Sequence, residues 1–224
     1  EPIQGVGGFI TPPPEYFVQV KEILDRYGIP FISDEVQTAW GRIGVADWGF
    51  QAYGVEPDVV VFAKGLANGI PIGGIIATDD LAGAIRSLSL STFGGNPVAT
   101  TAALANLNFI VTHNLRENAR RVGAYLIARL WELAERHHVI GDVRGMGLMV
   151  AVELVRDRQT KEPAPDILGR VQNEAKRQGL IIGRGGLHAN VIRICPPLIV
   201  TERDVDDAIQ IMDQAFTRAT EGTA

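Results

Sequence analysis

The sequence has one cysteine, Cys195. An internal disulfide is therefore excluded, and the chain suits a reducing compartment, the cytoplasm being the expected one. Cys195 itself reads as a small buried residue. No apolar run approaches the roughly 20 residues of a membrane span, so no membrane association is expected. There is no basic cluster and the formal net charge is −5, which argues against a nucleic-acid partner. The histidines (His113, His137, His138 and His188) have no metal-ligand spacing, and no metal site is expected. Internal repeats and low-complexity tracts are absent. Glu1-Pro2-Ile3-Gln4-Gly5 offers neither a starting methionine nor a signal-peptide pattern, and reads as the start of a chain cut from something longer.

What is present is an ordinary globular composition, 46% hydrophobic and 21% charged over 224 residues. That is enough for one large domain or two small ones. The informative stretch is Val59-Val60-Val61-Phe62-Ala63-Lys64-Gly65. Val59–Ala63 reads as a buried strand, being short, β-branched and free of charge. Lys64 then stands at the strand's carboxyl end, where open α/β sheets bind ligands. A strand-end lysine either reaches into water or serves as a nucleophilic amine. A second short apolar run, Phe31-Ile32-Ser33-Asp34, ends in a carboxylate. An amine and a carboxylate on neighbouring strand ends are what pyridoxal phosphate needs, one for its aldehyde and one for its ring nitrogen.

The other elements follow from periodicity and end signals. Glu15–Tyr27 is predicted helical, with Phe17, Val20, Leu24 and Tyr27 on one face and Gly28 as the stop. Residues 35–56 are irregular and rich in glycine and aromatics, which favours a functional loop or wall. Gly73–Thr78 follows the Lys64 strand too closely for a helical crossover and should pair with it antiparallel. Asn96-Pro97 opens a helix to about Thr112. A second helix from Asn114 to about His137 buries Leu115, Val122, Leu126, Leu130 and Leu133. The remainder reads as an α+β unit. Strands are expected at Val139–Val143, Leu148–Val155, Leu180–Ile182 and Val191–Cys195, and helices at Ile167–Gln178 and after the cap Thr201-Glu202-Arg203-Asp204. The tail from Ala219 is expected to fray.

Taken together, Ser33-Asp34-Glu35-Val36-Gln37-Thr38, Gly41-Arg42, Phe62-Ala63-Lys64-Gly65, Thr92-Phe93-Gly94-Gly95-Asn96-Pro97 and Arg193-Ile194-Cys195-Pro196-Pro197 resemble the class III, pyridoxal-phosphate-dependent aminotransferases. Order and spacing match over the whole chain. Glu1–Val6, Gly141–Gly145 and Gly179–Gly185 resemble the alanine–glyoxylate branch in particular. The resemblance implies an α/β fold of type I. Here it would comprise a partial large-domain mixed sheet (1–112) followed by a linking helix and an α+β C-terminal small domain (113–224). It implies that the family's first half, with its phosphate loop and ring-stacking aromatic, precedes Glu1. It also implies a homodimer with shared active sites, and amino-acid and oxo-acid substrates.

The implied roles fall on named residues. Lys64 resembles the lysine that holds pyridoxal phosphate as a Schiff base and then shuttles the substrate proton. Asp34 resembles the partner of the ring nitrogen, Gln37 that of the phenolic oxygen, and Thr92 the threonine reaching the phosphate of the partner subunit's cofactor. Arg193 resembles the arginine that grips the substrate α-carboxylate, a role suited to a bidentate fork. The implied reaction moves an amino group from alanine or a β-amino acid to glyoxylate or pyruvate. The alternatives are a 4-aminobutyrate, ornithine or acetylornithine type, or a truncated, non-catalytic fragment. The fragment by itself is expected to be inactive.

Three positions depart from common family patterns. Val6 stands where many ω-aminotransferases carry a glutamate that masks the arginine, which favours α-carboxylate substrates. Ala39 replaces a glycine. Ser89, three before Thr92, stands where many relatives have histidine, and bears on the subunit contact. The glycine pairs in Gly183–Gly186 and Gly5–Gly8 match neither a dinucleotide fingerprint nor a P-loop.

Overall fold

The structure, a computed structural model, describes residues 1–88 and 90–221. The expectation attached to Ser89 lies outside the described residues. The chain forms two compact units: Glu1–Pro2 with Pro12–Glu117, and Ile3–Thr11 with Asn118–Ala224.

In the first unit, helix α1 (Tyr16–Arg26) precedes strands β1 (Ile32–Asp34), β2 (Val59–Phe62) and β3 (Gly74–Ala77). They form a mixed sheet in the order β1-β2-β3. β1 and β2 are parallel, with Asp34 opposite Val61. β2 and β3 are antiparallel, as the short connection requires. A short helix α2 (Asp79–Gly83) and a long α3 (Pro97–Thr112) complete the unit. α3 begins where expected: the Asn96 side-chain Oδ1 accepts from the Ala99 N–H at 3.0 Å, with proline at the first turn.

Burial in this unit departs from the sequence reading. α1 has no buried residue, and Tyr27, assigned to its apolar face, is exposed. Its packing comes from Phe17, whose ring meets those of Phe31 and Tyr53. In β2 only Val60 is buried. In β3 both Ile75 and Ile76 are exposed.

Helix α4 (Leu115–Arg136) leads into the second unit. Strands β4 (Ile140–Met146) and β5 (Met149–Leu154), helix α5 (Pro165–Arg177), strands β6 (Gly183–Gly185) and β7 (Val191–Ile194), and helix α6 (Glu202–Thr220) follow. The strands form an antiparallel sheet in the order β4-β5-β7-β6. One face carries Val143, Val150, Val152 and Ile192. It joins the α4 stripe (Val122, Leu126, Leu130, Leu133) and Phe216 of α6 in one core. Burying each such aliphatic or aromatic side chain contributes roughly 1.5–3 kcal/mol, so this core holds the unit together.

Four sequence expectations shift here. The β4–β5 hairpin runs through Arg144-Gly145-Met146, leaving only Gly147-Leu148 at its tip. Leu180–Ile182 is not a strand: Leu180 N bonds back to the Ala175 carbonyl at the helix end, and pairing with β7 starts at Gly183. Cys195 is exposed rather than buried, because β7 ends at Ile194 and the chain leaves the sheet before Pro196-Pro197. Ala219, expected to fray, is buried within α6, while residues 222–224 lie outside the described residues. The Thr201–Asp204 capping box is formed as read.

Candidate active site

Two parallel neighbours with a matched register end at the same edge of the first unit's sheet. That is how the fold positions Asp34 and Lys64. Glu35 N donates to the Val61 carbonyl at 2.8 Å, carrying the ladder one residue past Asp34. Asp34 is exposed, and its Oδ1 accepts from Val36 N at 3.0 Å, which orients the carboxylate. Lys64 opens a 3-10 turn over Lys64–Ala67, also exposed, with a left-handed φ of 45°. Such a backbone costs a non-glycine residue roughly 1–3 kcal/mol and persists only where the surroundings hold it. Here Leu66 and Ala67 are buried against Ala103 of α3. From the same helix, Asn106 Nδ2 donates to the carbonyls of Gly65 at 2.8 Å and Leu66 at 2.9 Å.

Glu35, which the sequence reading quoted only as part of a motif, anchors the loop behind this edge. It is fully buried. Its Oε1 accepts from Ser33 Oγ at 3.0 Å and Phe50 N at 2.8 Å. Its Oε2 accepts from Thr38 Oγ1 at 2.5 Å and Gly49 N at 2.6 Å. A buried carboxylate needs such partners to be tolerated. The adjacency of Glu35 to Asp34, with Ser33 and Thr38 flanking it, was the signal available in the sequence. Gln37 leaves the same loop half-buried, its Nε2 donating to Glu1 Oε1 at 3.3 Å. Thr92 stands apart, exposed in a turn before α3. That turn is closed by Gly94 N donating to the Ser91 carbonyl and by Asn96 Nδ2 donating to the Phe93 carbonyl.

Arg193 belongs to the second unit. It lies on β7, and its guanidinium is held by backbone rather than by a carboxylate. Nε donates to the Arg184 carbonyl at 3.1 Å and Nη1 to the Gly5 carbonyl at 3.2 Å. Its Cζ stands 5.5 Å from the centre of the Phe9 ring, within cation–π range. Val6, next to Gly5, is 70% exposed and brings no charge to this arginine. The structure thus brings Asp34, Gln37 and Lys64 to one sheet edge and its following loop. It places Thr92 on a separate turn of that unit and Arg193 with Val6 in the other. Among the described residues, no group of three or more histidines, cysteines or carboxylates could hold a metal ion.

An exposed amine and an oriented, exposed carboxylate on adjacent strand ends fit a group with one electrophilic carbon and one basic ring nitrogen. Comparison with known proteins gives the family. The family described as aminotransferase class-III matches residues 1–216. The chain is 45% identical over 97% of its length to alanine–glyoxylate aminotransferase 2 homolog 2, mitochondrial, of Arabidopsis thaliana, covering 46% of that protein. It is 37% identical over its whole length to the human mitochondrial alanine–glyoxylate aminotransferase 2, covering 44% of it. The crystal structure of a transaminase from the marine bacterium Virgibacillus superposes with a TM-score of 0.93 at 33% identity, covering all of this chain and 53% of that one. The chain spans about half the length of the curated relatives it matches.

Proposed function

The chain belongs to the class-III aminotransferase family, and from that premise we propose that it supplies the C-terminal half of a transaminase. The enzyme would move an amino group from alanine or a β-amino acid to glyoxylate or pyruvate. The observation that carries this reading is the pair Asp34 and Lys64, at the carboxyl ends of parallel neighbours β1 and β2.

Pyridoxal phosphate is the cofactor the family implies. When bound, it supplies an aldehyde that captures amines and a ring that accepts the electron pair left by Cα–H cleavage. Lys64 would hold that aldehyde carbon through Nζ and, once displaced by the amino acid, take the proton from the substrate Cα. Asp34 would keep a proton on the ring nitrogen. Each pKa unit by which it favours the charged ring is worth about 1.4 kcal/mol. Gln37 would donate to the phenolic oxygen. Thr92, on its exposed turn, would reach the phosphate across a homodimer with shared sites. Arg193 would take the substrate α-carboxylate, a contact worth about 1.5–3 kcal/mol. With valine at position 6, no carboxylate competes for that arginine, which supports α-carboxylate substrates over the 4-aminobutyrate and ornithine types.

In this reading, residues 1–112 close the large cofactor domain, apart from Ile3–Thr11, which group with the second unit, and 113–224 give the linking helix and small domain. Exposed apolar residues on the first unit, Ile75, Ile76 and Val98 among them, support a first half that covers them. They also support inactivity of the 224 residues alone. The single cysteine supports a cytoplasmic setting. The test is reductive trapping with borohydride in the full-length parent enzyme in the presence of pyridoxal phosphate. The label should map to Lys64 and vanish in Lys64→Ala. Labelling at Lys21, Lys161 or Lys176 instead would remove Lys64 from the site.

A further inference from the structure

The second unit's sheet has two faces, and the one turned away from its helical core holds a row of paired positions. Arg144 on β4 is opposite Ala151 on β5, Ala151 is opposite Arg193 on β7, and Arg193 is opposite Gly183 on β6. Side chains directly opposite in adjacent strands share a face. Arg144 and Arg193 therefore stand on the same face, two strands apart, with only a methyl between them. The opening segment Ile3–Thr11 lies over this row. Ile3 and Phe9 are buried, and Gly186 N donates to the Val6 carbonyl at 3.0 Å.

Both arginines hold that segment. Arg193 bonds Gly5 and faces Phe9. Arg144 chelates one carbonyl, that of Gly8, through Nε at 3.1 Å and Nη2 at 2.9 Å. Its remaining nitrogen, Nη1, donates to Asp142 Oδ2 at 2.8 Å and Glu153 Oε2 at 2.6 Å. These two carboxylates fix the guanidinium plane. Gly8 has φ +101°, and a Cβ there would stand 3.3 Å from Arg144 Nη2 and 3.1 Å from Val191 Cγ2. The approach therefore depends on glycine at this position.

We propose that Arg144 is a positioning residue for Arg193. By clamping Gly8 it fixes the segment from Gly5 to Phe9, and that segment supplies the carbonyl and the ring that orient the Arg193 fork. This rests on the reading that Arg193 receives a substrate carboxylate. Without the clamp, the Gly5 carbonyl and the Phe9 ring move with a loose segment. Arg193 then loses one of its two backbone acceptors and the ring over which it is held.

The decisive variant is Arg144→Lys. Lysine keeps a cation for Asp142 and Glu153, so the sheet survives, but a single ammonium cannot reproduce the two-nitrogen grip on Gly8. The test uses the full chain and nuclear magnetic resonance of the arginine Nη–H groups, with pyruvate as the carboxylate probe and chloride at equal ionic strength as the control. In the wild-type chain the Arg193 Nη1–H that donates to Gly5 should exchange slowly and shift with pyruvate but not with chloride. In Arg144→Lys its exchange should quicken, and the pyruvate midpoint should weaken, each about tenfold or more, the scale of one charge-assisted hydrogen bond. The Val150 and Val152 amides of β5 should stay protected in the same sample. If they do not, Gly8→Ala attacks the clamp from the segment's side and should act on Arg193 in the same direction. An Arg193 Nη1–H that exchanges at the wild-type rate, over an intact sheet, overturns the proposal. A wild-type Arg193 that ignores pyruvate overturns the carboxylate reading instead, and leaves the exchange rate to judge the clamp.

Discussion

Glu35→Gln exchanges one oxygen for an amide nitrogen and removes a charge, in a pocket where all four partners are donors. Two of these, Ser33 and Thr38, are hydroxyls that can rotate and accept. The other two, Gly49 N and Phe50 N, are backbone groups that can only donate. Either orientation of the new amide therefore sets its NH2 against one backbone N–H. Gly49 is buried, whereas Phe50 is half-buried. Glutamine should turn its nitrogen toward Ser33 and Phe50, where the displaced N–H can still find water. The cost has two parts: an N–H with a poorer partner, and the weakening of charge-assisted bonds to neutral ones. Together they come to about 2 kcal/mol, within the range for disrupting hydrogen bonds to a charged group. Hydrogen exchange of the Gly49 and Phe50 amides, with a urea midpoint alongside, measures it. The expected pattern is asymmetric: Phe50 loses protection, Gly49 keeps most of its own, and the midpoint falls at constant slope. Unchanged protection at both amides with an unchanged midpoint would show that Glu35 does not hold the loop behind Asp34.

Two further outcomes follow from packing and capping. Gly123→Ala should destabilise the second unit by about 1–3 kcal/mol or more, because a Cβ there would overlap the Gly147 carbonyl and stand 2.7 Å from its Cα; a melting temperature within a degree of wild type would contradict this. The Thr201 hydroxyl and then its N–H donate to the Asp204 carboxylate and hold its pKa below the ordinary value. A depressed folded value gives stability that is complete above the unfolded aspartate range and lost as pH falls through the folded value. The stability advantage of wild type over Asp204→Asn should therefore shrink in acid, and a pH-independent difference would rule the effect out.

Much of the fold was legible where local chemistry decides structure. Asn96-Pro97 and Thr201–Asp204 are end signals that act within one helical turn, and both caps form. The α4 stripe is a periodicity that only a large core satisfies, and that core exists. The antiparallel β2–β3 pair followed from chain length alone. What was not legible depends on distant partners. Leu180–Ile182 has a strand's composition, yet β6 starts at Gly183, because the available edge of β7 lies opposite that residue. Glycines can sit on that outer strand because it is an edge. The exposure of Cys195 and the poor burial of α1 likewise depend on what surrounds them, which hydrophobicity does not encode.

At the candidate site, the residues legible from sequence are those whose chemistry is unusual for their place: a lysine and an aspartate closing apolar strands. The residues that fix their geometry looked ordinary. Asn106 is one amide on a helix rich in alanine and leucine, and its role appears only when α3 lies against the turn after Lys64. Arg144 sits in a glycine-flanked stretch that reads as a turn, and its target, Gly8, is 136 residues away in the chain. Glu35 adjoins Asp34, but two of its four partners, Gly49 and Phe50, lie beyond an irregular loop. Each of the three reaches backbone groups distant in the chain. Backbone donors and acceptors are the same at every position, so no residue pattern marks where such a partner will be met. The turn after Lys64 and the Arg193 fork are held in part by backbone partners of this kind. The residues that orient such a site are therefore harder to read from sequence than those expected to carry its chemistry.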